Sequence, residues 1–294
     1  MKNRINNLRK LEGGLRIKKN KFFNKKPLFS IITIALNDAR NIEETILSVI
    51  NQTYKNFEYI VIDGGSTDGT LDIIKKYNNK IDYWVSEKDG GIYPAMNKGV
   101  SLANGEIINM MNCGDLYINN KVIKKISEYF KNYPEIYFVL GLSKYINNDG
   151  TLFLLNNKPM FTFLKPNYFN TISHQAFFYK KVLHDEFGFY NLNYKICADA
   201  YFMYQIYLSK KYKRKLINSV FSLMRKGGTS SMAITSLEHK RINDELFGRS
   251  MFNELLVIKY FLKKTNLGKS LYNKYLEIKN HLVNKYKYKN QGAE

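Results

Sequence analysis

The residues best suited to chemistry lie in three short acidic turns: Asp63-Gly-Gly-Ser-Thr-Asp68, Glu87-Lys-Asp89 and Asn112-Cys-Gly-Asp115. Each follows a stretch that reads as a buried parallel strand, so all three are expected on one rim of one sheet, where α/β proteins bind ligands. Carboxylates at such a rim suit a divalent cation, because Mg²⁺ and Mn²⁺ take hard oxygen donors, and through the cation a diphosphate. Gly64, Gly65, Gly69, Gly90 and Gly91 would let a ligand approach the backbone closely. Neither GxxxxGK(S/T) nor GxGxxG occurs, so neither a P-loop nucleotidase nor a dinucleotide oxidoreductase is supported.

The elements that must carry these turns are legible by pattern. Leu28 to Leu36 is short, β-branched and almost continuously apolar, as in a strand buried on both faces. Asn41 can cap a helix with Ile42, Ile46, Val49 and Ile50 on one face and Glu43 and Glu44 in its first turn. There follow a strand at Phe57 to Ile62, a helix bearing Leu71, Ile74 and Tyr77, and a strand at Ile81 to Val85. A helical stretch then runs to about Ala103, before a strand at Gly105 to Met111. This alternation predicts a doubly wound α/β domain. The second half is less regular, with a strand at Ile136 to Leu142, a hairpin signal at Asn147-Asn-Asp-Gly150, a strand at Gln175 to Tyr179, and a helix from about Asp199 to Lys210. A helical pattern runs from Ser236 onward.

The 294 residues are 45% hydrophobic and 24% charged, which excludes a disordered or fibrous chain. Lys and Arg number 46 against 25 Asp and Glu, a net charge of +21 that favours phosphates, nucleic acid or an acidic membrane face as partners. Ten of these cations fall within residues 1–26 against Glu12 alone, and this stretch is expected to be a basic arm. Cys113 and Cys197 make neither a CxxC pair nor a disulfide framework, which suits a reducing compartment. With no secretory leader and no apolar run of about 18 residues, a soluble or peripheral protein is expected.

In order and spacing, six segments resemble the family 2 glycosyltransferases of GT-A fold, and among them the bacterial surface-polysaccharide enzymes of the colanic acid type. They are Pro27-Leu-Phe-Ser-Ile-Ile-Thr-Ile, Ser48-Val-Ile-Asn-Gln-Thr-Tyr54, Tyr59 to Thr70, Ser86 to Tyr93, Ala95-Met-Asn-Lys-Gly99 and Asn112 to Asp115. The likeness is strong over about 27–120, thinner through His174-Gln175, Ala198-Asp199 and Gly227-Gly-Thr-Ser230, and weak beyond. It implies a GT-A domain over 27–231, Rossmann-like with a mostly parallel sheet between helices, preceded by the basic arm at 1–26 and followed by a basic helical segment at 232–294.

The resemblance also implies a nucleotide-sugar site containing Asp63, Gly64, Ser66, Asp89, Asn97, Lys98, Gly114 and His174. Asp63 and its loop would lie near the base, and Asp89 near the base or ribose. Asp115 would be the metal-binding carboxylate, holding Mn²⁺ or Mg²⁺, and Asp199 the general base for inversion at the anomeric carbon. Three positions depart from the family pattern: Gly64 and Gly114 stand where many members have Asp, and Pro94 where close relatives often have Asp. The QxxRW sequence of processive synthases is absent, so one sugar is expected per encounter. The implied donor is a nucleotide sugar, first of all a UDP-sugar, and the implied acceptor a lipid-linked glycan at the inner face of the cytoplasmic membrane, with peripheral contact to anionic lipid and no nucleic-acid partner. A sugar-phosphate nucleotidyltransferase and a non-enzymatic basic adaptor are the alternatives.

Overall fold

The computed structural model describes residues 10–19, 28–147, 151–154, 173–225 and 233–247. The chain divides into two compact units, Met1–Ser230 and Ser231–Glu294. In the second unit, α8 (Ala233–Phe247) is a helix with i,i+4 ion pairs Lys240–Asp244 and Arg241–Glu245.

The first unit is built on one sheet. Its first half runs β1 (Leu11–Gly13), α1 (Leu15–Lys19), β2 (Phe29–Ala35), α2 (Ile42–Ile50), β3 (Phe57–Asp63), α3 (Thr70–Lys76), β4 (Tyr83–Ser86), α4 (Ile92–Leu102) and β5 (Ile107–Met110). The second half adds β6 (Leu116–Tyr117), α5 (Val122–Asn132), β7 (Phe138–Ile146), β8 (Leu152–Leu154), a 3₁₀ turn (His174–Ala176), β9 (Phe177–Lys180), α6 (Leu183–Phe187), α7 (Ala198–Leu208) and β10 (Arg214–Arg225). Strand order is β1-β4-β3-β2-β5-β9-β7-β10-β6, with β8 paired to β7.

The period-2 alternation of β2 and β3 builds a core on each face. Phe29, Ile31, Tyr59 and Val61 join Ile42, Ile46 and Val49 of α2, Ile74 of α3 and Ile126 of α5 in one cluster. Ile32 instead meets α4, so closely that a Cβ on Gly99 would lie 2.4 Å from its Cγ2.

The block β4-β3-β2-β5 is parallel, as its apolar strands predict. Beyond β5 the parallel expectation gives way: β9 is antiparallel to both β5 and β7, and only β7 and β10 pair in parallel. The register Ile107↔Lys180 and Ile108↔Tyr179 puts the start of β9 at the carboxyl end of β5. Residues 174–175 therefore share a rim with the 112–115 turn, and so does Arg225 at the end of β10, which reads parallel to β7.

Residues 10–19, within the stretch expected to be a basic arm, join the sheet. Leu11, Glu12 and Gly13 pair antiparallel with Ser86, Val85 and Trp84, extending the sheet past β4. Gly14 has φ +100°, and a Cβ on Gly13 would lie 2.5 Å from the Trp84 ring, so glycine is required at both. Asn78 Oδ1 ties the segment down, accepting from Gly14 N at 2.6 Å and from Trp84 Nε1 at 2.8 Å. Arg16 then pairs with fully buried Glu58, whose carboxylate also accepts from Ser30 Oγ and the backbone N–H groups of Asn104 and Gly105. A three-residue strand carries no periodic signal, and the partner of Arg16 lies 42 residues away, which is why charge count alone reads this stretch as an arm.

The hairpin signal falls partly outside the described residues, but Asn147 N donates to Thr151 O at 3.0 Å and β7 pairs antiparallel with β8. The Gly227–Ser230 segment and residues 248–294 also lie outside them. Among the described residues no helix is long and apolar enough to cross a membrane.

Candidate active site

Asp199 lies in the first turn of α7, and its side chain turns away from capping. Oδ1 accepts the Tyr93 hydroxyl at 2.8 Å and Oδ2 faces His174 Nδ1 at 2.6 Å. Because an ionised carboxylate only accepts, the imidazole Nδ1 donates, and its Nε2 faces the amide of Asn112 at 3.0 Å. Burial pushes the Asp199 carboxyl up, but the hydrogen bond and charge of His174, then Tyr93 and the Ala200 N–H, outweigh it, and the group stays below the usual carboxylate range. Burial lowers His174, yet Asp199 and Asp115 together carry it above the ordinary imidazole value.

Asp115 is 8% exposed at the end of the adjoining turn. Its Oδ2 accepts from the Gln175 amide and its Oδ1 from Arg225 N at 3.4 Å, while its backbone carbonyl accepts from Thr45 Oγ1 at 3.0 Å. Burial raises its carboxyl to about 6, against the pull of Gln175, His174 and Arg225. Gly114 bends the turn with φ +89°, and a Cβ there would lie 3.7 Å from Asp38 Oδ2 and 3.8 Å from Arg225 Cδ. Asp115, Gly114, His174 and Asp199 are thus brought together, joined by Tyr93, Asn112, Gln175, Asp38 and Arg225.

The other expected site residues are engaged locally. Asp63, at the end of β3, is 1% exposed and accepts from Ser86 Oγ and from the N–H and hydroxyl of Ser66. Ser66 Oγ in turn accepts from Asn37 N at 2.7 Å. A Cβ on Gly64 would lie 3.0 Å from Asp89 Oδ2, so the Asp89 carboxylate fills the space into which a side chain at 64 would emerge. Asp68, just before the helix N-cap Gly69, accepts from Ala39 N and from the N–H and hydroxyl of Thr70. Lys98 pairs with Glu87 at 2.8 Å. Asn97 spends both ends of its amide on the backbone of Tyr190, donating to its carbonyl at 3.0 Å and accepting from its N–H at 2.9 Å. These contacts tie Asn97 and Lys98 to neighbouring segments of the chain.

Comparison with known proteins bears on this arrangement. The model of the glycosyl transferase family 2 matches residues 30–192, more than half of the chain. This chain belongs to glycosyl transferase family 2. It is 31% identical over 183 residues to an uncharacterized glycosyltransferase of Mycobacterium tuberculosis, covering 60% of this chain and 68% of that protein. It is 32% identical over 179 residues to a PGL/p-HBAD biosynthesis glycosyltransferase of Mycobacterium bovis, covering 59% and 67%. In structure it is similar to S. aureus TarS 1-349 in complex with UDP-GlcNAc, with a TM-score of 0.58, 18% identity, and 79% of this chain and 71% of that one covered. It is also similar to the mannosyltransferase PcManGT from Pyrobaculum calidifontis in complex with GDP-Man and Mn²⁺, with a TM-score of 0.55, 16% identity, and 74% and 62% covered. These structural likenesses establish a shared GT-A fold.

Membership of family 2 makes the chain a glycosyltransferase and sets aside the nucleotidyltransferase and adaptor alternatives. Among the described residues no three His, Cys, Asp or Glu side chains gather to hold a metal. The site instead fits a cation bound through one carboxylate and completed by phosphate oxygens and water, the usual habit of Mg²⁺. Asp115 is the carboxylate available for this on the rim, and burial is what raises it.

Proposed function

We propose that this glycosyltransferase moves a sugar with inversion from a nucleoside-diphosphate donor, first of all a UDP-sugar, to a hydroxyl of a lipid-linked glycan, one sugar per encounter, in the assembly of a bacterial surface polysaccharide. The observation that carries this reading is Asp199: a partly buried carboxylate kept ionised by His174 and Tyr93, on the same rim as the turn bearing Asp115.

Inversion needs a base on the face of the sugar opposite the departing nucleotide. The acceptor hydroxyl gives its proton to Asp199 as its oxygen bonds to the anomeric carbon, and the bond from that carbon to the diphosphate oxygen breaks. Each carboxylate oxygen carries two lone pairs, so Asp199 can accept the hydroxyl while keeping Tyr93 and His174. Asp115 would hold the Mn²⁺ or Mg²⁺, which when bound offsets the charge gathering on the leaving diphosphate. The +21 charge and the cations of residues 1–9 support peripheral contact with anionic lipid, where such an acceptor would reside.

The test is a donor-hydrolysis and transfer screen with UDP-, GDP- and TDP-sugars, with and without Mn²⁺, on wild type and Asp199→Asn. Asp199→Asn should bind donor normally and lose transfer by ~10²–10⁴-fold. Collapse of donor binding in that variant would reassign Asp199 to the nucleotide site, and a wild type that cleaves none of the donors would overturn the reading.

A further inference from the structure

Helix α4 begins directly after the Asp89–Gly91 loop, whose Gly91 N–H donates to Asp89 Oδ1 at 2.9 Å. One turn apart on this helix, Tyr93 and Asn97 share a face by the i,i+4 rule. Tyr93 is 4% exposed and reaches across 106 residues of sequence to Asp199 Oδ1. Asn97 grips Tyr190 by both backbone groups, as a strand partner would, and the Tyr190 ring lies 6.1 Å from that of Tyr93. Tyr190 belongs to the segment that leads into α7 and therefore to Asp199. One helical face thus holds the base and also the chain that delivers it. The same helix is fastened to the residues before the loop by Lys98–Glu87.

We propose that Tyr93 and Asn97 are positioning residues that register Asp199 against the nucleotide loop, so that α4 fixes the distance between base and donor. The proposal rests on Asp199 being the general base. Tyr93 does not itself move a proton, because burial, reinforced by the charge and hydrogen bond of Asp199, holds its phenol far above its ordinary value. It acts as a donor that fixes and stabilises the carboxylate. Asn97 acts one step further back, by fixing Tyr190.

The decisive variant is Tyr93→Phe, which keeps the ring against Tyr190 and removes only the hydroxyl. A hydrogen bond to a charged group carries enough energy that kcat for transfer should fall about 10-fold or more, with KM for the donor changing less than about twofold. Carboxyl ¹³C NMR of the full chain should show Asp199 titrating at higher pH in Tyr93→Phe than in wild type, while UDP binding with Mn²⁺ is unchanged by calorimetry. In Asn97→Ala, and more mildly in Asn97→Asp, the Tyr190 amide should exchange hydrogen faster, and kcat should fall with donor KM preserved.

Wild-type kcat and an unshifted Asp199 in Tyr93→Phe would overturn the role of Tyr93. A raised donor KM with intact kcat in Asn97→Ala would return Asn97 to the nucleotide site and overturn its role here. Full transfer by Asp199→Asn would remove the base reading itself, an outcome distinct from either.

Discussion

Asp115 and Asp199 are both largely buried carboxylates, yet burial raises Asp115 to about 6 while His174 and Tyr93 keep Asp199 below the ordinary range. The difference is the positive partner: Asp199 has an imidazole against one oxygen, and Asp115 has a neutral amide. A carboxyl raised in the folded state costs stability as pH climbs through the ordinary carboxylate value to about 6, and that cost is fully present at neutrality. Asp115→Asn should therefore melt no lower than wild type in metal-free buffer at neutral pH, while losing most Mn²⁺-dependent UDP binding. A large drop in melting temperature, or unchanged UDP binding in calorimetry, would contradict this. Asp63, Asp89 and Asp115 are legible from their place after the parallel strands, whereas His174 and Asp199 stand out only through the family resemblance. Neither source shows the internal contacts, since the bonds of Asp63 to serines and of Asn97 to a backbone are facts of side-chain reach. Arg225 and Asp38 escaped notice because nothing in their local sequence shows that β10 and the end of β2 lead to the 112–115 turn.

Among the elements, those with strong apolar period were legible, as α2 and the four parallel strands show. The predicted cap did not form, since Asn41 instead donates to Asp38 Oδ1 at 2.7 Å. In helix α5, Val122, Ile123, Ile126 and Phe130 are buried on one face, a pattern that the sequence displays. Strand β10 is harder to read: Arg214-Lys-Leu-Ile-Asn-Ser-Val-Phe-Ser-Leu-Met-Arg225 is only partly buried and shifts register against β7 near Val220. The α6–α7 contact yields a pH prediction. His184 stacks on Phe202 at 4.5 Å, faces the Tyr179 hydroxyl and the Gly188 carbonyl, and is lowered by burial to about 4. The unfolded chain protonates first, so this contribution is complete above the ordinary imidazole value of ~6.5 and is lost as pH falls from there to about 4. By about pH 5 the loss should reach roughly 2 kcal/mol. Urea midpoints at about pH 7.5 and about pH 5 should differ less in His184→Phe than in wild type; an equal difference in the two proteins would refute the assignment.

At the scale of the whole chain, the +21 charge reads as membrane attraction only where the cations are free of structural work. Arg16 is not, because it answers the buried charge of Glu58 and donates to Leu102 O at 3.0 Å. Two truncations separate the roles. Removing residues 2–9 should leave the melting temperature unchanged and weaken binding to anionic vesicles at low salt, with donor hydrolysis in free solution preserved. Removing residues 2–19 should destabilise the fold by about 3–5 kcal/mol, the cost of leaving a buried carboxylate unpaired. Equal stability of the two truncated proteins would show that Glu58 is satisfied without Arg16. Equal vesicle binding by full-length and 2–9-deleted protein would show that the terminal charge is ordinary solvation.

The sole tryptophan of the chain lies beneath this N-terminal strand, its indole against Gly13 and its Nε1 on Asn78. Intrinsic fluorescence is therefore a local optical reporter: with tryptophan selectively excited, undocking of residues 10–19 would expose Trp84 to water and shift its emission to longer wavelength. The unmodified protein, mixed with denaturant or with vesicles, can reveal whether this edge of the sheet opens before the rest of the fold.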